Sequence, residues 1–121
     1  MIKEIKKPNI DFKIPIIKGD KFYYDENNKE YFLVDKYGWK YYFNLKGKYH
    51  RIEKPAIVYS NAEAAWIEDG KWHRLDGAAY IYENYKEFYI KNIEYNEYNF
   101  GKKTNHLICK LCRKFCKQEC F

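Results

Sequence analysis

The stretches GKYHRIEKPAIVYSN (residues 47–61) and GKWHRLDGAAYIYEN (residues 70–84) carry one pattern twice, with a His-Arg pair at the same point of each. The copies start 23 residues apart, and a period of this length is typical of arrays in which one supersecondary unit stacks on the next. A partial copy, YGWKYYFNLK, precedes them at residues 37–46. We therefore expect clear repeats over residues 47–69 and 70–92, after which the pattern decays as in a capping copy.

The composition and the turn residues favour strands. The chain has 121 residues, about one domain, and it holds 14 Tyr, 8 Phe and 3 Trp, which are side chains enriched in strands. In each unit a two-residue turn, at Asn61-Ala62 or Asn84-Tyr85, would join two strand-like runs into a hairpin. We predict a mainly β fold, an antiparallel meander of 23-residue hairpin repeats that forms a single domain over residues 1–101. The predicted strands lie near residues 21–24, 30–35, 39–44, 55–60, 63–68, 78–83, 86–91 and 94–98, and the only helix is expected at about residues 103–120.

With these turns, alternation along the strands predicts two different faces. The core face is expected to contain the cross-strand pairs Val58 with Ala65, Ala56 with Ile67, Ile81 with Phe88, and Ala79 with Ile90. The opposite face is expected to contain Ile57 and five aromatic side chains. We call these five the aromatic wall: Tyr59, Trp66, Tyr80, Tyr82 and Tyr89. Because Tyr and Trp often anchor interfaces, these five are the candidate partner-binding residues. Two arrangements remain open, in which the wall is either exposed to a partner or covered by residues 10–17 or by the C-terminal helix.

The strings GKYHRIEKPAIVY and GKWHRLDGAAYIY resemble the G-K-x-H-R-x-D-G-P-A repeat of bacteriophage, prophage and giant-virus proteins, which is similar to the 23-residue MORN-type hairpin repeat. The similarity covers about residues 37–92. The first copy departs from it at Glu53-Lys54, where Asp-Gly is usual, and the second has Ala78 in place of the proline. The resemblance implies a β-repeat fold and a viral or mobile-element origin, and it implies neither an enzymatic activity nor a fixed ligand.

The His-Arg pairs, His50-Arg51 and His73-Arg74, could supply a base and an anion-binding group. A catalytic site, however, needs its groups once, in one constellation, whereas this pair recurs at the same point of each repeat. We therefore predict a structural role, in which each Arg reaches the acidic residue two positions on and each His packs on the neighbouring repeat. Because the sequence also lacks a Gly-rich phosphate loop and a recognisable nucleophile motif, we predict that the protein is not an enzyme.

The positive charge is concentrated at the C-terminal end. The formal net charge is +6, but residues 102–121 hold six basic side chains against Glu119 alone, which leaves 17 basic and 16 acidic side chains in the rest of the chain. Attraction to nucleic acid would therefore act through this tail. On an amphipathic helix the candidate nucleic-acid-binding residues share one edge. They are Lys110, Arg113, Lys114 and Lys117. The wall tyrosines would then stack on bases, and a basic amphipathic helix also fits association with a membrane surface.

The same tail contains the four cysteines of the chain, Cys109, Cys112, Cys116 and Cys120, which would form one stripe on a helix. Three interpretations remain open. The stripe packs against the sheet, or Cys109 and Cys112 bind Zn²⁺ with His106, or the thiols cross-link two chains. One straight helix cannot bring all four thiolates to one metal ion. We therefore predict no cofactor and keep Zn²⁺ as the alternative.

The N-terminus has no apolar stretch long enough for a signal peptide, and no segment approaches the roughly 20 apolar residues of a membrane span. We expect an intracellular protein, in the cytoplasm of a host cell or in a virion, with cysteines that are not in disulfides. The functional hypothesis is a non-enzymatic viral or phage-type β-repeat protein that binds another protein, as a modulator of a host factor or as part of a viral assembly. Nucleic-acid binding through residues 102–121 is the alternative. The sequence identifies neither the partner nor the oligomeric state.

Overall fold

A computed structural model describes residues 1–104 of the chain, which form an antiparallel β structure ending in a helix. Nine strands make one sheet in the order β1-β2-β3-β4-β5-β6-β9-β10-β11, and β7 and β8 form a separate hairpin. The predicted mainly β antiparallel meander is confirmed. The elements are β1 (Ile2–Ile5), β2 (Lys21–Asp25), β3 (Glu30–Val34), β4 (Lys40–Phe43), β5 (Ile57–Val58), β6 (Ala64–Ala65), β7 (Ile67–Glu68), β8 (Lys71–Trp72), β9 (Tyr80–Tyr82), β10 (Tyr85–Ile90), β11 (Ile93–Tyr95) and α1 (Glu97–Thr104).

One row of directly paired residues crosses the sheet and defines its two faces. Directly opposed residues of neighbouring strands place their side chains on the same face, and this face alternates along each strand. We call the face that carries this row the front face and the other the back face. The row consists of Ile5, Phe22, Leu33, Tyr41, Ile57, Ala65, Tyr80 and Glu87.

The N-terminal half of the sheet has its core on the front face. Ile14, from the segment between β1 and β2, is buried together with Phe22, Leu33 and Phe43. The ring of Phe12 packs edge-on against that of Phe43, with centroids 5.1 Å apart. The N-terminal segment therefore covers β2, β3 and β4 and not the aromatic wall, so the alternative in which residues 10–17 cover the wall is wrong.

Gly47 fixes the position of this covering segment. Its carbonyl accepts a hydrogen bond from the backbone N–H of Lys13 at 2.8 Å. Its φ is +77°, and a Cβ at this position would lie 2.2 Å from the carbonyl oxygen of Asp11. Only glycine combines this backbone conformation with such a close approach.

The second core lies in the C-terminal half and is built from small side chains. Ala56, Ala65 and Ala79 are fully buried, and Ile57 and Ile67 are nearly so. The larger side chains that pack on the cluster around Ala56 and Ile57 are aromatic, and within residues 1–104 none comes from the N-terminal segment. The front face of this half is thus covered only by its own aromatic side chains in the part of the chain that the structure describes.

The predicted pairing of Val58 with Ala65 is wrong by one residue. In the structure Val58 pairs with Ala64 and Ile57 with Ala65, so that the predicted pairing of Ala56 with Ile67 is wrong as well. The turn causes the shift, because the N–H of Tyr59 donates to the carbonyl of Glu63 at 3.0 Å and leaves three residues in the loop. The third of these, Ala62, has a φ of +65°. A one-residue shift exchanges the faces of β6 relative to β5, so Ala65, expected on the opposite face, lies on the front face with Ile57 and Tyr80. Ile57 stays on the face where it was predicted, but it is buried there.

The second predicted turn, Asn84-Tyr85, is also wrong. Tyr85 pairs with Tyr82, and the turn consists of Glu83 and Asn84, with Glu83 at a φ of +54°. This error amounts to two residues, and a two-residue shift preserves the faces. The predicted pairs of Ile81 with Phe88 and of Ala79 with Ile90 are therefore displaced, but the wall tyrosines of this hairpin keep their predicted side.

The ends of the described chain also depart from the predictions. Strand β1 was not predicted, and neither was the break between β6 and β7. The last strand ends at Tyr95, and the helix begins at Glu97 rather than near residue 103, because the side chain of Asn96 accepts the N–H of Asn99 at 2.8 Å as an N-cap. Phe100 of α1 is buried on the back face, where its ring lies 4.8 Å from that of Phe88. The remainder of the predicted helix lies outside the described residues.

Candidate functional site

The two histidines hold the hairpin turns that follow them in the chain. Nδ1 of His50 accepts a hydrogen bond from the N–H of Asp69 at 2.9 Å, and Nδ1 of His73 accepts one from the N–H of Lys91 at 3.0 Å. Because Nδ1 accepts, the ring proton of each neutral imidazole lies on Nε2. Each bond joins two residues of the same predicted unit, 47–69 or 70–92, and the packing of each histidine on the neighbouring repeat stays a prediction.

The turns held in this way have the same backbone conformation. Asp69-Gly70 and Lys91-Asn92 both have two successive positive φ values, as in a type I′ hairpin turn. The N–H of the second turn residue is also bonded, because Gly70 donates to the carbonyl of Tyr49 at 2.8 Å and Asn92 donates to the carbonyl of Trp72 at 2.8 Å. Each turn therefore donates two hydrogen bonds to the segment that carries the preceding histidine, residues 49–50 for the first turn and 72–73 for the second.

The two arginines each stack on an aromatic ring. The guanidinium of Arg51 lies 3.8 Å from the ring centroid of Tyr42, and that of Arg74 lies 3.8 Å from the ring centroid of Trp66. Each guanidinium also donates to a backbone carbonyl four residues on. Such contacts combine cation–π attraction with hydrogen bonding and fix the loop that follows each His-Arg pair.

The acidic partners of the arginines differ. Nε of Arg74 donates to Asp76 at 2.9 Å, as the sequence predicts. Nε of Arg51 donates instead to Glu30 at 3.0 Å, so the predicted pairing with Glu53 is wrong. Glu53 has a φ of +62°, and Glu30 lies at the start of β3, beside the loop that carries Arg51. A partner 21 residues away cannot be found from local spacing.

A cavity of about 500 Å³ lies beside this second ion pair. Among its lining residues are Glu30, Tyr31, Phe43, His50 and Arg51. One carboxylate oxygen of Glu30 is buried and has no hydrogen-bond partner within the described residues. The Arg51 guanidinium and the Glu30 carboxylate neutralise each other, and we therefore regard the aromatic front face as the stronger candidate.

The structure divides the predicted aromatic wall between the two faces. Tyr80 belongs to the front-face row, and Tyr59, Tyr82 and Tyr89 lie on the same side by strand alternation. Trp66 follows front-facing Ala65 directly and lies beneath Arg74, so its inclusion in the wall was wrong. Four of the five candidate partner-binding residues thus share one face.

Three aromatic side chains that the sequence analysis did not select extend this face. Trp39 packs edge-on against Tyr59 with ring centroids 4.8 Å apart, and Trp72 lies 6.0 Å from Tyr80. Tyr85 lies 6.2 Å from Tyr80, and its side chain is 56% exposed. The alternation in the stretch YKEFY (residues 85–89) was the signal for Tyr85, and the misplaced turn concealed it.

Carboxylates lie among the rings of the front face. The hydroxyl of Tyr80 donates to Glu63, and the hydroxyls of Tyr85 and Tyr89 donate to the two oxygens of Glu87. Glu94 lies directly opposite Tyr89 in the pairing of β10 with β11. The face is therefore aromatic and acidic at the same time.

These contacts raise the pKa values of the tyrosines. The hydrogen bond to Glu63 is the main reason why the pKa of Tyr80 rises to about 12. Burial, followed by the hydrogen bond to Glu87, raises the pKa of Tyr89 to about 12. The pKa of Tyr85 is raised as well, chiefly by its hydrogen bond to Glu87. Burial at Tyr89, and the neighbouring carboxylates at all three positions, disfavour the charged phenolate form.

The candidate residues of the tail lie outside the described residues. These are the nucleic-acid-binding candidates Lys110, Arg113, Lys114 and Lys117, and the thiols Cys109, Cys112, Cys116 and Cys120. Within residues 1–104, no group of three or more His, Cys, Asp or Glu side chains is arranged to hold a metal ion. In the same range no helix is both long enough and apolar enough to span a membrane.

Comparisons with known proteins find no relative. No protein-family model matches the chain, and neither a curated protein nor a solved structure does.

Proposed function

We propose that this chain is a non-enzymatic β-repeat protein that binds another protein through the front face of its C-terminal half. One observation carries the proposal, namely that Tyr59, Tyr80, Tyr82, Tyr85 and Tyr89 share this face and that the N-terminal segment, which covers the other half of the sheet, does not pack on its core cluster. Tyr82 and Tyr85 are 37% and 56% exposed. Exposed tyrosines that surround half-buried aromatic rings are typical of interface anchors.

The repeat interpretation belongs to this proposal. His50 and His73 make equivalent contacts, and so do Arg51 and Arg74. These equivalent contacts support two stacked units with a 23-residue period. Together with the resemblance to phage, prophage and giant-virus repeats, they support a viral or mobile-element protein. Such a protein acts in the cytoplasm of the host cell or in the virion, as a modulator of a host factor or as part of an assembly.

The roles of the histidines support a protein without catalysis. Nδ1 of both His50 and His73 is occupied by a backbone N–H, and the adjacent guanidinium groups are occupied by carboxylates and carbonyls. A general base needs a free nitrogen within reach of a substrate proton. His50 and His73 hold turns at two equivalent places, and this structural role is sufficient to explain why both are present.

The proposed function is tested by capture of partners from the natural host cell with the whole chain as bait. Tyr82→Ser is the informative variant, because Tyr82 is exposed and its loss should leave the core intact. Tyr98→Ser on α1, where Tyr98 is 72% exposed, is the matched control. A partner retained by the wild type and the control and lost by Tyr82→Ser, in the presence of nuclease, supports the proposal. Equal capture by all three proteins would refute it.

Nucleic-acid binding remains the second candidate, because residues 102–121 carry six basic side chains against one acidic side chain. Deletion of residues 102–121 should then abolish binding to single-stranded DNA or RNA. The slope of log K against log salt for the whole chain should correspond to about three to six phosphate contacts. Binding that is unchanged by the deletion and insensitive to salt would exclude this candidate.

A further inference from the structure

Four aromatic rings of the front face form a connected group beside one carboxylate, that of Glu87. Trp72 contacts Tyr80 and Tyr89, with ring centroids 6.0 and 5.6 Å apart, and Tyr80 contacts Tyr85 at 6.2 Å. The two ends of this chain of rings, Tyr85 and Tyr89, both donate their hydroxyls to Glu87. Glu87 itself lies directly opposite Tyr80 in the pairing of β9 with β10. We call this arrangement the Glu87 cage.

Strand geometry explains why the cage forms. Residues 85, 87 and 89 of β10 alternate onto the front face, so that a carboxylate lies between two phenols along the strand. Tyr80 joins them from the neighbouring strand β9. Trp72 completes the group because its backbone is bonded to the turn of the last hairpin. The N–H of Trp72 donates to the Asn92 side chain at 2.8 Å, and the carbonyl of Trp72 accepts the N–H of Asn92 at 2.8 Å.

The cage has no cation of its own in the part of the chain that the structure describes. The ion pairs found in residues 1–104 involve neither Glu87 nor Glu94. The Lys and Arg side chains that lie over aromatic rings in this range use Phe12, Phe32, Tyr37, Tyr42, Trp66 and Tyr98, and none uses a cage ring. Glu94, opposite Tyr89, adds a second negative charge beside the cage.

We propose that the Glu87 cage binds the side-chain ammonium of a lysine presented by the partner protein. Aromatic faces attract cations through their negative π-systems, and a carboxylate among them adds a charged acceptor. The proposal rests on the proposed function, because it names the group on the partner that this face recognises. The raised pKa values of Tyr85 and Tyr89 are in keeping with a negative field inside the cage.

Several ligands would be excluded by this chemistry. An anion would meet Glu87 and Glu94 and be repelled. A neutral acetyl-lysine keeps the aliphatic chain of lysine but lacks the charge, so it should bind weakly. Arginine carries a planar guanidinium that is larger than an ammonium, and the comparison of lysine with arginine therefore measures how closely the rings enclose the ligand.

The test is a titration of the whole chain with short peptides that carry one central lysine, arginine, acetyl-lysine or glutamate, followed by NMR of the Trp72 indole. We expect saturable binding of the lysine peptide and at least about tenfold weaker binding of the acetyl-lysine peptide. Glu87→Gln should weaken lysine binding by at least about tenfold, whereas Glu83→Gln, in the exposed turn of the same hairpin, should leave it unchanged. Tyr85→Leu should weaken it and Tyr98→Leu should not.

Three results would overturn the assignment. The first is equal affinity for the lysine and acetyl-lysine peptides. The second is equal lysine affinity of Glu87→Gln and Glu83→Gln, with both shown to be folded by thermal unfolding. The third is tighter binding of free choline than of the lysine peptide, which would assign the cage to a lipid headgroup.

The failure of the cage can be distinguished from the failure of the proposed function. If Glu87→Gln still captures the partner and Tyr82→Ser does not, the face binds a protein and the cage assignment is wrong. If both variants capture the partner like the wild type, both proposals fail.

Discussion

Nδ1 of His73 accepts the backbone N–H of Lys91 across 3.0 Å, at the first residue of the last hairpin turn. His50 makes the same contact with the N–H of Asp69. Both turns place two residues at positive φ, and three of these four residues are not glycine. Since such conformations are costly, the hydrogen bonds that the turns donate to residues 49–50 and 72–73 stabilise turns that local preference alone would not favour.

The first prediction concerns these histidines. His50→Ala and His73→Ala should each lower the free energy of unfolding by about 1–2 kcal/mol, because each leaves a turn N–H without its acceptor. The loss should be larger at His50, whose hydrogen bond is partly buried, than at His73, where water can reach the N–H. Urea denaturation measures both, with Lys86→Ala as an exposed control. No loss in either variant would show that the histidines do not hold the turns.

The second prediction separates the two arginines. Arg51 and Glu30 have side-chain exposures of only 12% and 22%, whereas the Asp76 partner of Arg74 is 69% exposed. Arg51→Ala strands a largely buried carboxylate and should cost about 2–3 kcal/mol, and Arg74→Ala should cost about 1 kcal/mol. In a double-mutant cycle, Glu30→Gln should recover part of the loss in Arg51→Ala. The opposite order of the two losses would contradict the assignment of Glu30 as the principal partner.

The third prediction compares two glycines that both have a positive φ. A Cβ at Gly47 would collide with Asp11, whereas a Cβ at Gly38, with φ +83°, would meet no atom within 4 Å. Gly38→Ala should therefore cost about 1 kcal/mol, from backbone conformation alone, and Gly47→Ala more than about 2 kcal/mol. The excess should appear as faster hydrogen exchange at Lys13. If the two variants lose equal stability, the N-terminal segment does not pack against Gly47.

The fourth prediction concerns alkaline pH. The folded chain raises the pKa of Tyr80 to about 12, mainly through Glu63. A raised pKa favours the protonated phenol in the folded state, so this contribution to stability is complete below the unfolded pKa of about 10 and is lost as the pH rises towards the folded pKa. In tyrosinate absorbance, Tyr80→Phe should remove a late transition and Glu63→Gln should move it to lower pH. Identical titration curves for Glu63→Gln and the wild type would be the contrary result.

Much of the sheet could be predicted from the sequence because its cues are local. Strands β2, β3 and β4 are aromatic runs with glycine-containing loops nearby, and the predicted strands overlap them closely. The pairing of β5 with β6 and of β9 with β10 could not be predicted, because Ala62 and Glu83 adopt positive φ where the sequence shows no glycine. Loop length depends on those two residues, and register depends on loop length.

The candidate surface was predictable in part for the same reason. Tyr59, Tyr80, Tyr82 and Tyr89 share a face because the register error between β9 and β10 is two residues, which preserves the faces, and the one-residue error between β5 and β6 exchanges only the faces of β6. Trp66 was misassigned because the one-residue shift beside it exchanged the faces. The cage residue Trp72 lies in a hairpin that the sequence did not indicate, and it reaches Tyr89 only through a turn bonded across 20 residues of sequence. Contacts of that kind depend on how the hairpins stack.

The most direct test of the central claim uses a photo-crosslinking phenylalanine analogue placed at a single tyrosine of the whole chain, expressed in the natural host cell. Tyr82 represents the front face and Tyr98, which is more exposed, represents α1 outside it. The account predicts a crosslink from position 82 to one non-self protein, and no comparable crosslink from position 98. Crosslinks to that protein from position 98 but not from position 82, or crosslinks from position 82 to nucleic acid alone, would contradict it.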